Sequence, residues 1–166
     1  FKHVPDSFVA YRNVATMNHR EELAHIHKFI SNQTLASLCC TNHHGQLRCF
    51  IVFFAFDAGK GLLYFKTSDQ TMHMQWLKIN PHVAGTILPD KFNALQSKGI
   101  QMNGTFLPED DEMTKHATTR YHLKYPFSLA MKGCVQTIRI DHIKMTDNSL
   151  GFGTKLIWER EVEMAE

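Results

Sequence analysis

The segment Leu47-Arg48-Cys49-Phe50-Ile51-Val52-Phe53-Phe54-Ala55-Phe56 narrows the possible folds more than any other. From Cys49 onward it is an unbroken apolar run, the longest in the chain. It falls far short of the roughly 20 residues that span a bilayer. Its β-branched and aromatic content predicts a strand. Side chains alternate between the two faces of a strand, and here both sets are apolar, so both faces need cover. A closed barrel with something packed outside it, such as a second subunit, meets that demand. A homodimer is the expected assembly.

The flanking sequence supplies the rest of a barrel. Asn18 caps a helix with apolar positions Leu23, Ile26, Phe29 and Ile30 and with Glu21 and Glu22 in its first turn. Thr34 to Thr41 reads as a strand, Leu47 to Phe56 as a second and Leu62 to Thr67 as a third, joined by turns at 42–46 and 57–61. A two-residue turn at His44-Gly45 sets Cys40 opposite Cys49, Leu38 opposite Ile51 and Ala36 opposite Phe53. That register puts Cys40 and Cys49 together on one apolar face. Thr71 to Ile79 is a short helix with Met72, Trp76 and Ile79 on one side, stopped by Asn80-Pro81. His82 to Leu88 and Ile100 to Phe106 are strands four and five, separated by a polar loop over 91–99. An acidic-headed helix runs from Pro108 to about Lys124. Cys134 to Met145 is strand six, and Leu156 to Glu161 is a short seventh. The prediction is a mainly β domain over 17–166: six or seven antiparallel strands closed into a barrel, with two or three peripheral helices. Residues 1–16 read as an N-terminal extension, with Met17 able to start the chain.

Composition excludes several classes. Hydrophobic residues make up 43% and charged residues 20%, enough to bury a core in 166 residues. The net charge of +2 is too small to hold nucleic acid through bulk charge. No segment is long and apolar enough for a membrane helix. Cys39, Cys40, Cys49 and Cys134 contain no CxxC, and their scarcity points to a reducing, cytoplasmic compartment. With His43 nearby, Cys40 and Cys49 lack a fourth ligand for zinc, so they read as buried, inert thiols and no metal is expected. The eleven histidines form no HExxH-type signature.

The tail Ile143-Lys144-Met145-Thr146-Asp147-Asn148-Ser149-Leu150-Gly151-Phe152-Gly153-Thr154-Lys155-Leu156-Ile157-Trp158 resembles the C-terminal signature of the bacterial YhbP-like family. Leu47-x-Cys49, Phe56-Asp57, Thr67 to His73 and Val83-Ala84-Gly85-Thr86 also look like that family. It is similar in turn to the pyridoxamine-phosphate oxidase superfamily, the FMN-binding split β-barrels. The resemblance implies a homodimer with FMN at the subunit interface, and possible oxidoreductase chemistry supplied by the flavin. Some relatives bind haem or a deazaflavin, so a non-catalytic binding module, for haem or for no cofactor, is the alternative.

In flavin-binding relatives the phosphate sits where strand three enters the next helix. Here that place holds Lys66, Thr67, Ser68, Thr71 and His73, with Val52 and Phe54 on the preceding strand. A helix start offers free N–H donors to an anion, and the hydroxyls add more. The oxidases carry an Arg-Lys pair where this chain has Met72-His73, and an Arg and a Lys where it has Cys49 and Phe54. His73 is therefore the expected cation. Without a ligand, Thr67 and Gln70 would serve as a capping box. Asp147-Asn148 and Gly151-Phe152-Gly153 predict a tight corner, with Trp158 able to wall a cleft. Arg120, Tyr121 and His122 can reach a ligand or form a solvated face. No residue pattern identifies a catalytic acid or base, and the substrate stays open.

Overall fold

The structure is a computed structural model that describes residues 17–161; the expected extension at 1–16 lies outside them. Helix α1 (His19–Ser31) starts with a complete capping box: Asn18 accepts the Glu21 N–H, and Glu21 accepts the Asn18 N–H. Ile26, Phe29 and Ile30 are its buried positions. Seven strands follow: β1 (Leu35–Thr41), β2 (Leu47–Asp57), β3 (Leu62–Thr67), β4 (His82–Ile87), β5 (Lys98–Leu107), β6 (Cys134–Asp147) and β7 (Lys155–Glu159). They are joined in the order β3-β2-β1-β4-β5-β6-β7, and β3 also pairs with β6. Every pairing is antiparallel. The result is the expected mainly β architecture: a closed six-stranded barrel, one outer strand and three α-helices.

Strand β6 makes the closure. One of its edges runs along β5. The other is shared end to end: Cys134–Arg139 pairs with β3, and His142–Thr146 pairs with β7. Arg160 sits at the junction, donating to the carbonyls of Lys60, Gly61 and Ile140. A bulge at Asn103/Gly104 leaves Asp141 without a partner in the β5 ladder. Asp141 instead accepts from Thr105 Oγ1 at 2.6 Å and Arg139 Nε at 2.7 Å.

The barrel interior is filled from every strand, including Leu38, Phe54, Leu63, Phe65, Ile87, Ile138, Ile140 and Met145. A second, smaller core lies outside it. Helix α3 (Ala117–Lys124) covers the outer faces of β2 and β3, where Ala55, Leu62 and Tyr64 meet Ala117, Tyr121 and Tyr125. This explains half of the two-faced character of β2. Beyond Phe54 the outer face lies under α3. Before it, Leu47, Cys49, Ile51 and Phe53 are exposed in the single chain.

Three local expectations are corrected. First, the β1–β2 register differs by one residue: Cys39 faces Cys49, Leu38 faces Phe50 and Ala36 faces Val52. The loop has three residues, His43-His44-Gly45, with Gly45 at φ +75° and the Asn42 N–H bonded to the Gln46 carbonyl. A third loop residue shifts the pairing sum by one and exchanges the faces of β2 relative to β1. Cys40 is buried, whereas Cys49 is exposed. Second, helix α2 (Met72–Ile79) buries Met74 and Leu77, while Met72 and Ile79 face outward. Only Trp76 of the expected stripe packs on the core. Third, the segment after Pro108 makes a short 3₁₀ turn at Glu112–Thr114, and the helix proper begins at Ala117.

Asp147 ties three parts of the chain together. Its fully buried carboxylate accepts from Ser149 N and Oγ, from His25 Nε2 at 2.7 Å and from Lys98 Nζ at 3.2 Å. Burial pushes its pKa up, but the hydrogen bonds from Ser149, His25 and Lys98 outweigh it, and the net direction is down. A depressed carboxylate contributes stability that is present above its unfolded pKa and lost as pH falls through the folded one. Asp147→Asn is therefore expected to cost about 2 kcal/mol at neutral pH. It should also flatten the loss of stability below about pH 4, as urea unfolding midpoints across pH will check.

Candidate functional site

The β2–β3 ladder stops at Phe54↔Phe65. Beyond it the chain leaves β3 at Thr67 and turns into α2. Among the described residues, Leu47–Phe53 of β2 have no strand on that edge. The niche between this open edge and α2 brings together Thr67, Thr71 and His73 of the predicted phosphate residues, with Arg48 beside them.

His73 is the centre of the niche. Its ring stacks on Phe50 with centroids 4.0 Å apart and planes 6° from parallel. Its Nε2 lies 2.9 Å from Thr67 Oγ1 and 3.0 Å from Thr71 Oγ1. Thr71 gives its own proton to the Ser68 carbonyl at 2.9 Å. Either neutral tautomer is thus served: a protonated Nε2 donates to Thr71, and a bare Nε2 accepts from Thr67. Burial, and after it the nearby Arg48 charge, hold the His73 pKa below the usual imidazole value. In the free chain these surroundings disfavour a protonated His73, against the role of cation expected for it.

Arg48 is the permanent positive charge in the niche. Its guanidinium lies over the Trp76 ring, 5.3 Å from the centroid. It shares the inward-facing side of β2 with Phe50 and Val52, at the mouth of the barrel. The three-residue hairpin loop was the signal for it, because that register turns Arg48 toward α2.

The helix start itself is uncapped. Thr71 is the N-cap residue of α2 but makes no side-chain cap bond, in contrast to Asn18 of α1. The Thr67–Gln70 capping box does not form: Thr67 Oγ1 is turned to His73. The first-turn N–H groups of α2 therefore lack the side-chain acceptor that a capped helix has.

The other predicted residues are placed differently. Ser68 is exposed at the niche rim. Val52 and Phe54 are buried in the barrel. Lys66 points to the opposite side of β3, where its Nζ donates to the Ser128 carbonyl at 2.7 Å and lies 3.4 Å from His122 Nε2. Arg120 pairs with buried Asp57 at 3.3 Å, and Tyr121 belongs to the outer core. A cavity of about 690 Å³ meets the β3–α2 loop at Asp69 and is lined further by Leu77, Phe106, Leu107, Glu109 and Gln136. Its two carboxylates, Asp69 and Glu109, outnumber its one cation, Lys78, so it suits an anion less well than the Arg48 niche.

Two relatives extend the picture. A UPF0306 protein of Photorhabdus laumondii is 36% identical over 144 residues, covering 87% of this chain and 100% of the relative. The chain belongs to the UPF0306 family. The UPF0306 protein YhbP of Escherichia fergusonii is 34% identical over 140 residues, 84% of this chain and 95% of its own. No protein-family model matches the chain. Among solved structures, a haem binding protein from Mycobacterium smegmatis superposes with a TM-score of 0.69 at 14% identity, over 88% of this chain and 60% of that one. A FAD-binding protein from Mesorhizobium loti gives 0.58 at 17% identity, over 74% and 91%. These likenesses show the fold that this UPF0306 chain shares with them. Among the described residues, no helix is long and apolar enough to cross a membrane.

The His73 environment is directly measurable. Its imidazole is expected to titrate below the ordinary 6.5 in a side-chain NMR titration. Arg48→Ala should move that value upward without restoring it fully, because burial is the larger cause.

Proposed function

We propose that this UPF0306 protein binds a phosphorylated flavin, FMN, with the phosphate at the start of α2. The observation that carries the reading is the uncapped helix start beside the Arg48 guanidinium. Arg48 supplies a fixed charge and a fork of donors. The first turn of α2 supplies backbone N–H groups and the positive end of its dipole. Thr67 and Ser68 add hydroxyls, while Thr71, whose proton goes to the Ser68 carbonyl, and His73, hydrogen-bonded to Thr67 and Thr71, hold the loop in place. The flavin ring would lie along the open edge of β2. When bound, FMN supplies redox chemistry; the protein's part is to hold the phosphate, orient the ring and shield it. The haem-binding and FAD-binding proteins of the same fold support a ligand-binding barrel, and their different ligands make the choice between flavin and haem an experimental one.

Titration of the purified protein with FMN and with riboflavin, followed by flavin fluorescence, tests the phosphate site. FMN should bind more tightly than riboflavin. Arg48→Ala should weaken FMN roughly 10- to 100-fold, the worth of a charge-assisted bond, while leaving riboflavin unchanged. A protein that ignores both flavins and develops a Soret band with haemin would replace this reading with the haem one.

We further infer that a second copy of the chain covers the apolar patch at the Leu35–Phe53 end of β1 and β2, away from the hairpin loop and the Cys39–Cys49 row. Leu35, Ile51 and Leu88 line a shallow pocket of about 300 Å³ there. Phe53 continues the patch to Tyr125, and Tyr125 to exposed Phe127, with ring centroids 5.9 and 6.0 Å apart. Patches of this kind on a lone chain mark interaction surfaces. Light scattering should give a dimer mass, and Phe53→Asp should give the monomer with an unchanged far-UV spectrum.

A further inference from the structure

Cys39 and Cys49 are direct cross-strand partners on the outer face of the β1–β2 hairpin. The hydrogen-bond alternation of the hairpin fixes what kind of pair they are. Asn42 bonds Gln46 at the loop, and the Phe54 N–H bonds the Thr34 carbonyl at the far end. In an antiparallel ladder bonded and non-bonded rows alternate. Counting from either end, Ala36↔Val52, Leu38↔Phe50 and Cys40↔Arg48 are bonded rows, and Cys39↔Cys49 is a non-bonded one. Such rows bring the Cα atoms to about 4.5 Å and the side chains closest together. A disulfide accepts Cα separations of about 4.4–6.8 Å. The two thiols are thus within bonding reach without backbone movement, at the short end of the range.

Access is asymmetric. Cys49 is exposed, and Cys39 is half-buried. Both line a shallow groove of about 330 Å³, with Ser37, Thr86, Gln101 and Asn103 along its sides. The pair lies two rows nearer the hairpin tip than Ser37↔Ile51, on the same face. Cys40, adjacent in sequence, points into the core and is sealed from the groove. Burial, together with a hydrogen bond to the Cys49 sulfur, holds the Cys39 thiol above its ordinary range. The exposed sulfur is therefore the one that meets a reagent first.

We propose that Cys39 and Cys49 form a reversible dithiol–disulfide couple that exchanges with low-molecular-weight disulfides of the glutathione type. The Cys49 thiolate attacks one sulfur of the small disulfide, forming a mixed disulfide and releasing one small thiol. The Cys39 thiolate then attacks Cys49 Sγ, forming the Cys39–Cys49 bond and releasing the second small thiol. Two protein thiols are oxidised, one small disulfide is reduced to two thiols, and both protons leave with the products. The bond would pin β1 to β2 across the floor of the groove. The inference stands independently of the ligand at α2.

The test uses the full chain carrying Cys134→Ser, which removes the other exposed thiol. The protein is incubated with oxidised glutathione, and thiol counts and intact mass are followed. The expected product has lost two thiols, is lighter by two hydrogens, and on fragmentation links Cys39 to Cys49. It should revert completely with a dithiol reductant. Cys39→Ser in the same background should stop at a single glutathione adduct on Cys49. A link from Cys49 to Cys40, a parent that stops at the adduct, or only intermolecular bonds would overturn the proposal. Because fragmentation of the parent locates the bond, the outcome does not depend on a variant that fails to fold.

Discussion

Barrel closure depends on one strand having enough length for three neighbours. β6 runs for 14 residues, and its ladder to β5 continues almost throughout. Its second edge cannot be satisfied by β3 alone, which has six residues. β7 takes the remainder, and Arg160 caps the carbonyls left where the two short strands meet. Buried backbone carbonyls need such partners, so the side chain of Arg160 completes a ladder that no strand could. A Cβ on Gly61, which has φ +63°, would come within 2.6 Å of that guanidinium, so the junction also fixes the residue type beside it.

The split edge has a counterpart at the other edge of β3. There the β2–β3 ladder ends early and the chain peels away into α2. The mismatch in strand lengths, 11 residues against six, opens the niche at Arg48 and His73. The electrostatics follow from that geometry. His73 is pressed on Phe50 and lies near Arg48, so holding a proton would cost desolvation and repulsion together. The positive charge of the niche is carried by the arginine, whose flat guanidinium suits an anion.

Much of this was legible in the chain. Alternation and turn residues located all seven strands, and Asn18 with Glu21 announced the first helix start. What periodicity could not supply was the length of one loop. His43-His44-Gly45 reads as a two- or three-residue turn, and the two readings differ by one register step that exchanges the faces. That step decided whether Cys49 was buried and whether Arg48 faced the helix. The short helix α2 misled for a different reason. Eight residues make barely two turns, so Met72 and Ile79 matched a helical stripe as well as Met74 and Leu77 did, and only the barrel's position chooses between them. Thr67 likewise matched a capping pattern, but the helix begins one turn later, at Thr71.

The outer strand carries a consequence for how these molecules meet one another in a crowded solution. Among the described residues β7 ends the sheet, and no strand pairs with its far side. An open edge invites any passing strand to add on and start a fibre. This one is only five residues long, begins with Lys155, ends with Glu159 and is followed at once by Arg160. A second copy trying to extend the sheet here would find a short docking length and charges at both ends. The seventh strand thus completes one edge of β6 while offering newcomers a poor template, which keeps sheet growth from becoming the route to assembly.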